Sequence, residues 1–185
     1  MRTISLITLA LLSLHALAQN KTSFGTDNAT RCYQASNAPL STHGLSFCTR
    51  AIRYDDLLLG DLAATHTNRG IIFSANGELK KAMKDHRKAL LIAPKMGKIY
   101  INRGNVFHQE RKYDLALKDY EKAIELGNVP LDIAHYNRSL ALIKLKHWEN
   151  AILALETSIE INPESKRVRR KLEELKQSKN LKKAD

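Results

Sequence analysis

The triplet Asn68-Arg69-Gly70 returns as Asn102-Arg103-Gly104 and again as Asn137-Arg138-Ser139, at offsets of 34 and 35 residues. The same offsets carry Ala82 to Ala116 and Ala151, and Ala89 to Ala123 and Ser158. They also carry Phe73 to Phe107 and Leu142, and Leu79 to Tyr113 and Trp148. Pro94 and Pro163 close the first and third periods, with Asn128 at the intermediate place. The one extra residue belongs in the connector 127–131, which holds Pro130. A fixed period of this length marks a repeat architecture, in which each unit buries its apolar face only against its neighbours.

Within each period two helical patterns flank a polar break, at 74–78, 108–112 and 145–148. Leu115, Ala116, Leu117, Tyr120, Ala123, Ile124 and Leu126 follow helical spacing in the second half of the middle unit. Units end at Ala93-Pro94, Gly127-Asn128 and Asn162-Pro163, which stop helices. Each unit is therefore expected to be an antiparallel helix pair. Helix axes packed about 8–10 Å apart leave little room where they cross. Gly70, Gly104 and Ser139 meet that need.

On these columns the chain resembles the tetratricopeptide repeat family. Gly70, Gly104 and Ser139 match its small residue, Ala82, Ala116 and Ala151 its second-helix alanine, and Pro94 and Pro163 its terminal proline. Arg69, Arg103 and Arg138 depart from a family leucine, and His86 from a family aromatic. The resemblance covers about residues 63–163 and implies an all-α solenoid of antiparallel helix pairs, wound as a right-handed superhelix. The units expected are 63–96, 97–131 and 132–165.

Both ends of a solenoid need closing. Residues 164–185 are strongly basic, yet Val168, Leu172 and Leu175 form one narrow apolar stripe, as a C-terminal capping helix requires. Ahead of the repeats, residues 19–62 read as a polar segment followed by a degenerate helical hairpin. In it Ala51-Ile52 falls in phase with Ala89-Leu90, a partner helix lies near 29–36, and Pro39 ends that helix. Cys32 and Cys48 are the only cysteines, and no Cys-x-x-Cys motif is present, so a structural bridge stapling this hairpin is expected. Closing a loop of about 15 residues contributes on the order of 3 kcal/mol.

Residues 1–18 have the form of a signal peptide: Arg2, an uncharged leucine-rich stretch, then Ala16-Leu17-Ala18 ahead of Gln19. The apolar run is short and interrupted by polar residues, so an uncleaved anchor is the weaker alternative. A periplasmic or secreted protein is expected, of an exported bacterial type by the form of the leader.

Composition narrows the function. The 185 residues carry a net charge of +11, with 43% apolar residues, which excludes wholesale disorder and favours anionic partners without naming one. The seven histidines include no i, i+4 pair for zinc, and neither a phosphate loop nor a nucleophile elbow is present. An enzyme is not expected, nor a metal or cofactor. Binding is then expected in the concave groove lined by first helices. There Asn68, Asn102 and Asn137 recur, flanked by Ile71, Lys98, Ile101, Asn105, His108, Tyr136 and Lys144. An amide offers both donor and acceptor to an extended peptide, and similar asparagines in the family hold ligands so. Equally open is the plainer role of bonding helix ends or neighbouring repeats. The carboxylate clamp of some family members is incomplete, since Thr67 and Ile71 stand where it needs Lys and Asn. The arginine column is expected to form an outward ladder pairing with carboxylates on adjacent helices. A protein or peptide partner is thus the first expectation, with no nucleic acid and no membrane span. The alternative is an anionic surface or polymer bound by the C-terminal helix and the lysines of 80–88.

Overall fold

The structure, a computed structural model, describes residues 27–39 and 43–184, with side chains described to Ser178. Residues 1–26, which hold the expected signal peptide and most of the expected polar segment, lie outside the described residues. Nine α-helices and no strands occur among the described residues: α1 (Asp27–Asn37), α2 (His43–Tyr54), α3 (Leu59–Ala75), α4 (Leu79–Ile92), α5 (Gly97–Gln109), α6 (Tyr113–Leu126), α7 (Leu131–Lys144), α8 (Trp148–Ile161) and α9 (Lys166–Ala184). Consecutive helices pack as the pairs α1–α2, α3–α4, α5–α6 and α7–α8, and α9 lies against α8. First helices also touch across pairs, α1 to α3, α3 to α5 and α5 to α7. They therefore line the inner side, and the second helices form the outer one.

Steric reasoning accounts for the pairing. A Cβ placed on Gly104 would lie 2.6 Å from the Tyr120 ring, and one on Gly70 2.6 Å from the His86 ring. Ser139 is tolerated in the third pair, where its hydroxyl donates to Tyr136 O at 2.6 Å within its own helix. The polar breaks become three matching turns, with Gly77, Arg111 and Lys146 all at positive φ. At each, a backbone N–H reaches back six residues' span: Glu78 to Phe73 O, Lys112 to Phe107 O and His147 to Leu142 O, at 2.8–2.9 Å. Only the first turn uses glycine there; Arg111 and Lys146 adopt the left-handed region with a Cβ in place.

The ends are closed as charge and covalency dictate. Val168 and Leu175 of α9 are buried with Leu155, Ala154 and Tyr136, and Leu172 packs on the same cluster. At the other end Cys32 and Cys48 form a disulfide joining α1 to α2, their Cα atoms 4.7 Å apart. Both cysteines are buried, in one cluster with Ile72 of α3, so the staple also seats the hairpin on the first repeat. Helix α3 begins at Leu59, ahead of residue 63, and α1 packs on it at Thr65 and Ile72.

Candidate functional site

The inner wall between α3 and α5 encloses a cavity of about 170 Å3 lined by Ile71, Ser74, Ala75, Asn102, Asn105 and Gln109, with His86 beneath. Its side chains lie on one face because Asn102, Asn105 and Gln109 follow i, i+3, i+7 spacing along α5. Every lining group is neutral. Gln109 Nε2 donates to Ser74 Oγ at 2.8 Å, bridging the two helices at the rim. Asn102 Nδ2 donates to Lys98 O at 2.8 Å, which leaves its carbonyl for another partner.

Asn105 is a junction. Its Oδ1 accepts from Tyr120 Oη at 2.9 Å and from Asn137 Nδ2 at 3.2 Å, so a single carbonyl ties α5 to α6 and α7. Asn137 thereby bonds the neighbouring repeat through its Nδ2, the plainer of the two roles open to it. Asn68 is half-buried on α3, with no hydrogen-bond partner among the described residues.

The remaining expected groove residues divide. Lys98 and Lys144 are exposed, and His108 is half-buried, edge-on to Tyr113 at 5.2 Å between ring centres. Burial, with Lys144 adding to it, holds His108 below the ordinary histidine range. Two residues do not belong to the groove. Ile101 packs into the cluster of Ala116, Tyr120 and Ala141. Tyr136 is only 7% exposed, and its ring lies 4.4 Å from the Arg167 guanidinium, whose Nε donates to its hydroxyl at 2.9 Å. Both stand one residue before the asparagine column, a step of about 100° around the helix that turns them to the next helix pair.

The arginine column pairs with carboxylates as expected, but Arg69 and Arg103 do so inward rather than outward. Arg69 grips Asp85 through Nε at 2.7 Å and Nη2 at 2.8 Å, and Arg103 grips Asp119 likewise at 2.7 and 2.6 Å. Both aspartates are buried. Asp85 also accepts from His66 Nδ1 at 2.9 Å, and Arg69 Nη1 donates to Thr49 Oγ1 of α2 at 3.1 Å. Burial alone would raise the Asp85 carboxyl, but the bonds from Arg69 and His66 hold it below its ordinary value. In the third pair Ala154 stands where an aspartate is needed, so Arg138 turns back to Glu121 at 3.2 Å.

His86 was identifiable only as a departure from an aromatic column. It is wholly buried, neither ring nitrogen has a hydrogen-bond partner among the described residues, and burial pushes it down to about 4. Gln109 was missed as well, although its spacing from Asn102 and Asn105 was available to find it. Among the described residues no cluster of three or more His, Cys, Asp or Glu side chains is placed to hold a metal ion. No described helix is long and apolar enough to cross a membrane.

The tetratricopeptide repeat family model matches residues 97–126, and a second model of the same repeat matches 133–165. No curated protein matches the sequence. Among solved structures, MamA from Desulfovibrio magneticus RS-1 superposes with a TM-score of 0.66 at 20% identity, covering 85% of this chain and 88% of that one. The Sgt2 tetratricopeptide domain from Aspergillus fumigatus gives 0.62 at 23% identity, over 66% and 82%. The first tetratricopeptide domain of Spaghetti (RPAP3), bound to the HSP90 peptide SRMEEVD, gives 0.59 at 22% identity, over 63% and 91%. Residues 97–126 and 133–165 are thus recognised as tetratricopeptide repeats, and the described residues fold as a helical solenoid of the kind such repeats build.

Proposed function

We propose that this chain is an exported, non-catalytic adaptor that captures an extended segment of a partner protein in its concave groove. The observation that carries the reading is the neutral cavity between α3 and α5, where the Asn102 carbonyl is left over by the internal bonding. A segment lying along the groove would place a side chain there, with amide groups of the wall meeting its backbone. The peptide held by the similar Spaghetti domain is in keeping with such a role. Export rests on the leader-like residues 1–18 and on the cystine, which persists in oxidising compartments.

An anionic surface held by α9 has less behind it. Arg167 is engaged by Tyr136, Arg170 and Lys171 by Glu174, and Lys176 by Glu156. The test is capture from a native envelope extract by crosslinking and mass spectrometry, comparing the unaltered chain with Asn102→Ala/Gln109→Ala. Loss of the captured partner with helical content unchanged supports the groove. Equal recovery removes the groove from the mechanism.

A further inference from the structure

The outer face of α4 carries Lys80, Lys84, Arg87 and Lys88, all exposed and none with a carboxylate partner among the described residues. They share one stripe with Leu91, which is 85% exposed. Like charges at i, i+4 destabilise a helix, and nothing in the repeat scaffold requires them here. Corresponding places on α6 hold Asp114, Lys118, Glu121, Lys122 and Glu125, a mixed set in which Lys122 pairs with Glu125 at 2.8 Å. The cations border a cleft of about 520 Å3 whose apolar lining includes Met83 and Phe107, and the carboxylate on its wall, Glu110, is neutralised by Lys112 at 2.7 Å. An occupant that fits must be acidic and must bring an apolar side chain.

One such surface is present on the chain itself. In register with Lys80, Lys84, Arg87 and Leu91, helix α8 presents Glu149, Leu153, Glu156 and Glu160. Leu153 is 61% exposed amid those carboxylates, a large apolar side chain that the fold leaves in water. Glu156 also meets Lys176 at 2.8 Å, a surface pair that is weak enough to exchange. We infer that the α4 cleft of one copy receives the α8 face of a second copy, Leu153 entering above Met83 and Phe107 while Glu156 and Glu160 meet the rim cations. The two patches differ, so the contact is heterologous: every assembly keeps one unused face of each kind at its two ends, and the chains extend head to tail. A contact between single helix faces falls at the small end of interface sizes, and the assembly is correspondingly weak and reversible.

Sedimentation velocity of the mature chain across a concentration series tests this. At physiological ionic strength the mean mass rises with concentration. In about 1 M salt, where the screening length is about 3 Å, the association weakens at least tenfold. Lys84→Glu/Arg87→Glu and Leu153→Ser/Glu160→Gln, all at exposed places, are each monomeric with unchanged helical content. Mixed together they form a one-to-one dimer and nothing larger, because each variant retains the face its companion needs. A chain that stays monomeric throughout overturns the inference, as does association that survives both variants or a mixture that fails to pair. Binding of an acidic peptide by a strictly monomeric chain also overturns it and assigns the cleft to a foreign partner.

Discussion

The first and second repeats face the same steric problem and solve it with different chemistry. Beneath Gly104 the second repeat places Tyr120, whose hydroxyl is taken up by Asn105. Beneath Gly70 the first places His86, and the residue in register with Asn105 is Ile71, which has nothing to offer an imidazole. The third avoids polar atoms at that place altogether, with Leu155 and Leu140 at the corresponding positions. One backbone geometry thus accepts a satisfied polar ring, an orphaned one and an aliphatic side chain. Shape is what the repeat demands, and hydrogen-bonding balance is left to each unit. The salt bridges divide in the same way: Arg69 and Arg103 hold buried aspartates within their own pairs, and Arg138 has only the more exposed Glu121.

The largest effect should come from Asp85→Ala. It leaves Arg69 and His66 without their shared acceptor in a buried place, a loss of about 3–5 kcal/mol read by denaturant unfolding. If the cost is no greater than that of a surface pair, the contrast between the first and third repeats fails. Next, Gly104→Leu drives a side chain into the Tyr120 ring and should destabilise the middle repeat by about 3 kcal/mol. An unchanged melting temperature and helical content would remove the steric basis of the whole assignment.

His86→Leu installs the third repeat's solution in the first. Removing two buried unpaired nitrogens should stabilise by about 1–2 kcal/mol near neutral pH, measured as an upward shift in melting temperature. The same variant has a pH signature. His86 titrates at about 4 in the folded chain, against about 6.5 when unfolded, so between those values the unfolded state binds more protons. The penalty from this group is absent above about pH 6.5 and grows as pH falls toward 4, so stability declines across that window. The lowered Asp85 acts in the same direction below it, its contribution being lost as pH falls through the carboxylate range. His86→Leu should flatten the decline between pH 6.5 and 4 and leave the lower one intact. Smallest of all, Arg138→Ala should cost under about 1 kcal/mol, because its partner Glu121 is half in water.

Much of the fold was legible in a single sequence because steric demands recur at fixed intervals. Three small residues in phase, two helical patterns per period and a proline or asparagine at each boundary leave little freedom for the backbone. The disulfide was legible too, since two cysteines on either side of a turn have only each other. The site was less so. Ile71, Asn102 and Asn105 do share a cavity, but Tyr136 and Ile101 were misplaced. At one residue from the groove column, a small rotation decides between the inner wall and the next helix pair. Of the arginines expected outward, Arg69 and Arg103 turned inward because each had a buried aspartate sixteen residues on, a spacing that crosses a hairpin and leaves no mark in local periodicity.

What the chain's residues determined on their own was the period, the pairing of helices, the places where side chains must be small, and the capping stripe of Val168, Leu172 and Leu175. Each follows from volume and helical phase, which are properties of neighbours in sequence. Only the tertiary arrangement decided which amides remain available. Asn137 gives an amide N–H to Asn105, whose carbonyl is shared with Tyr120, and Asn102 turns its N–H back to Lys98 and keeps its carbonyl free. The bonds that join Asn105 to Tyr120 and to Asn137 link groups 15 and 32 residues apart, and no repeat pattern encodes their distances of about 3 Å.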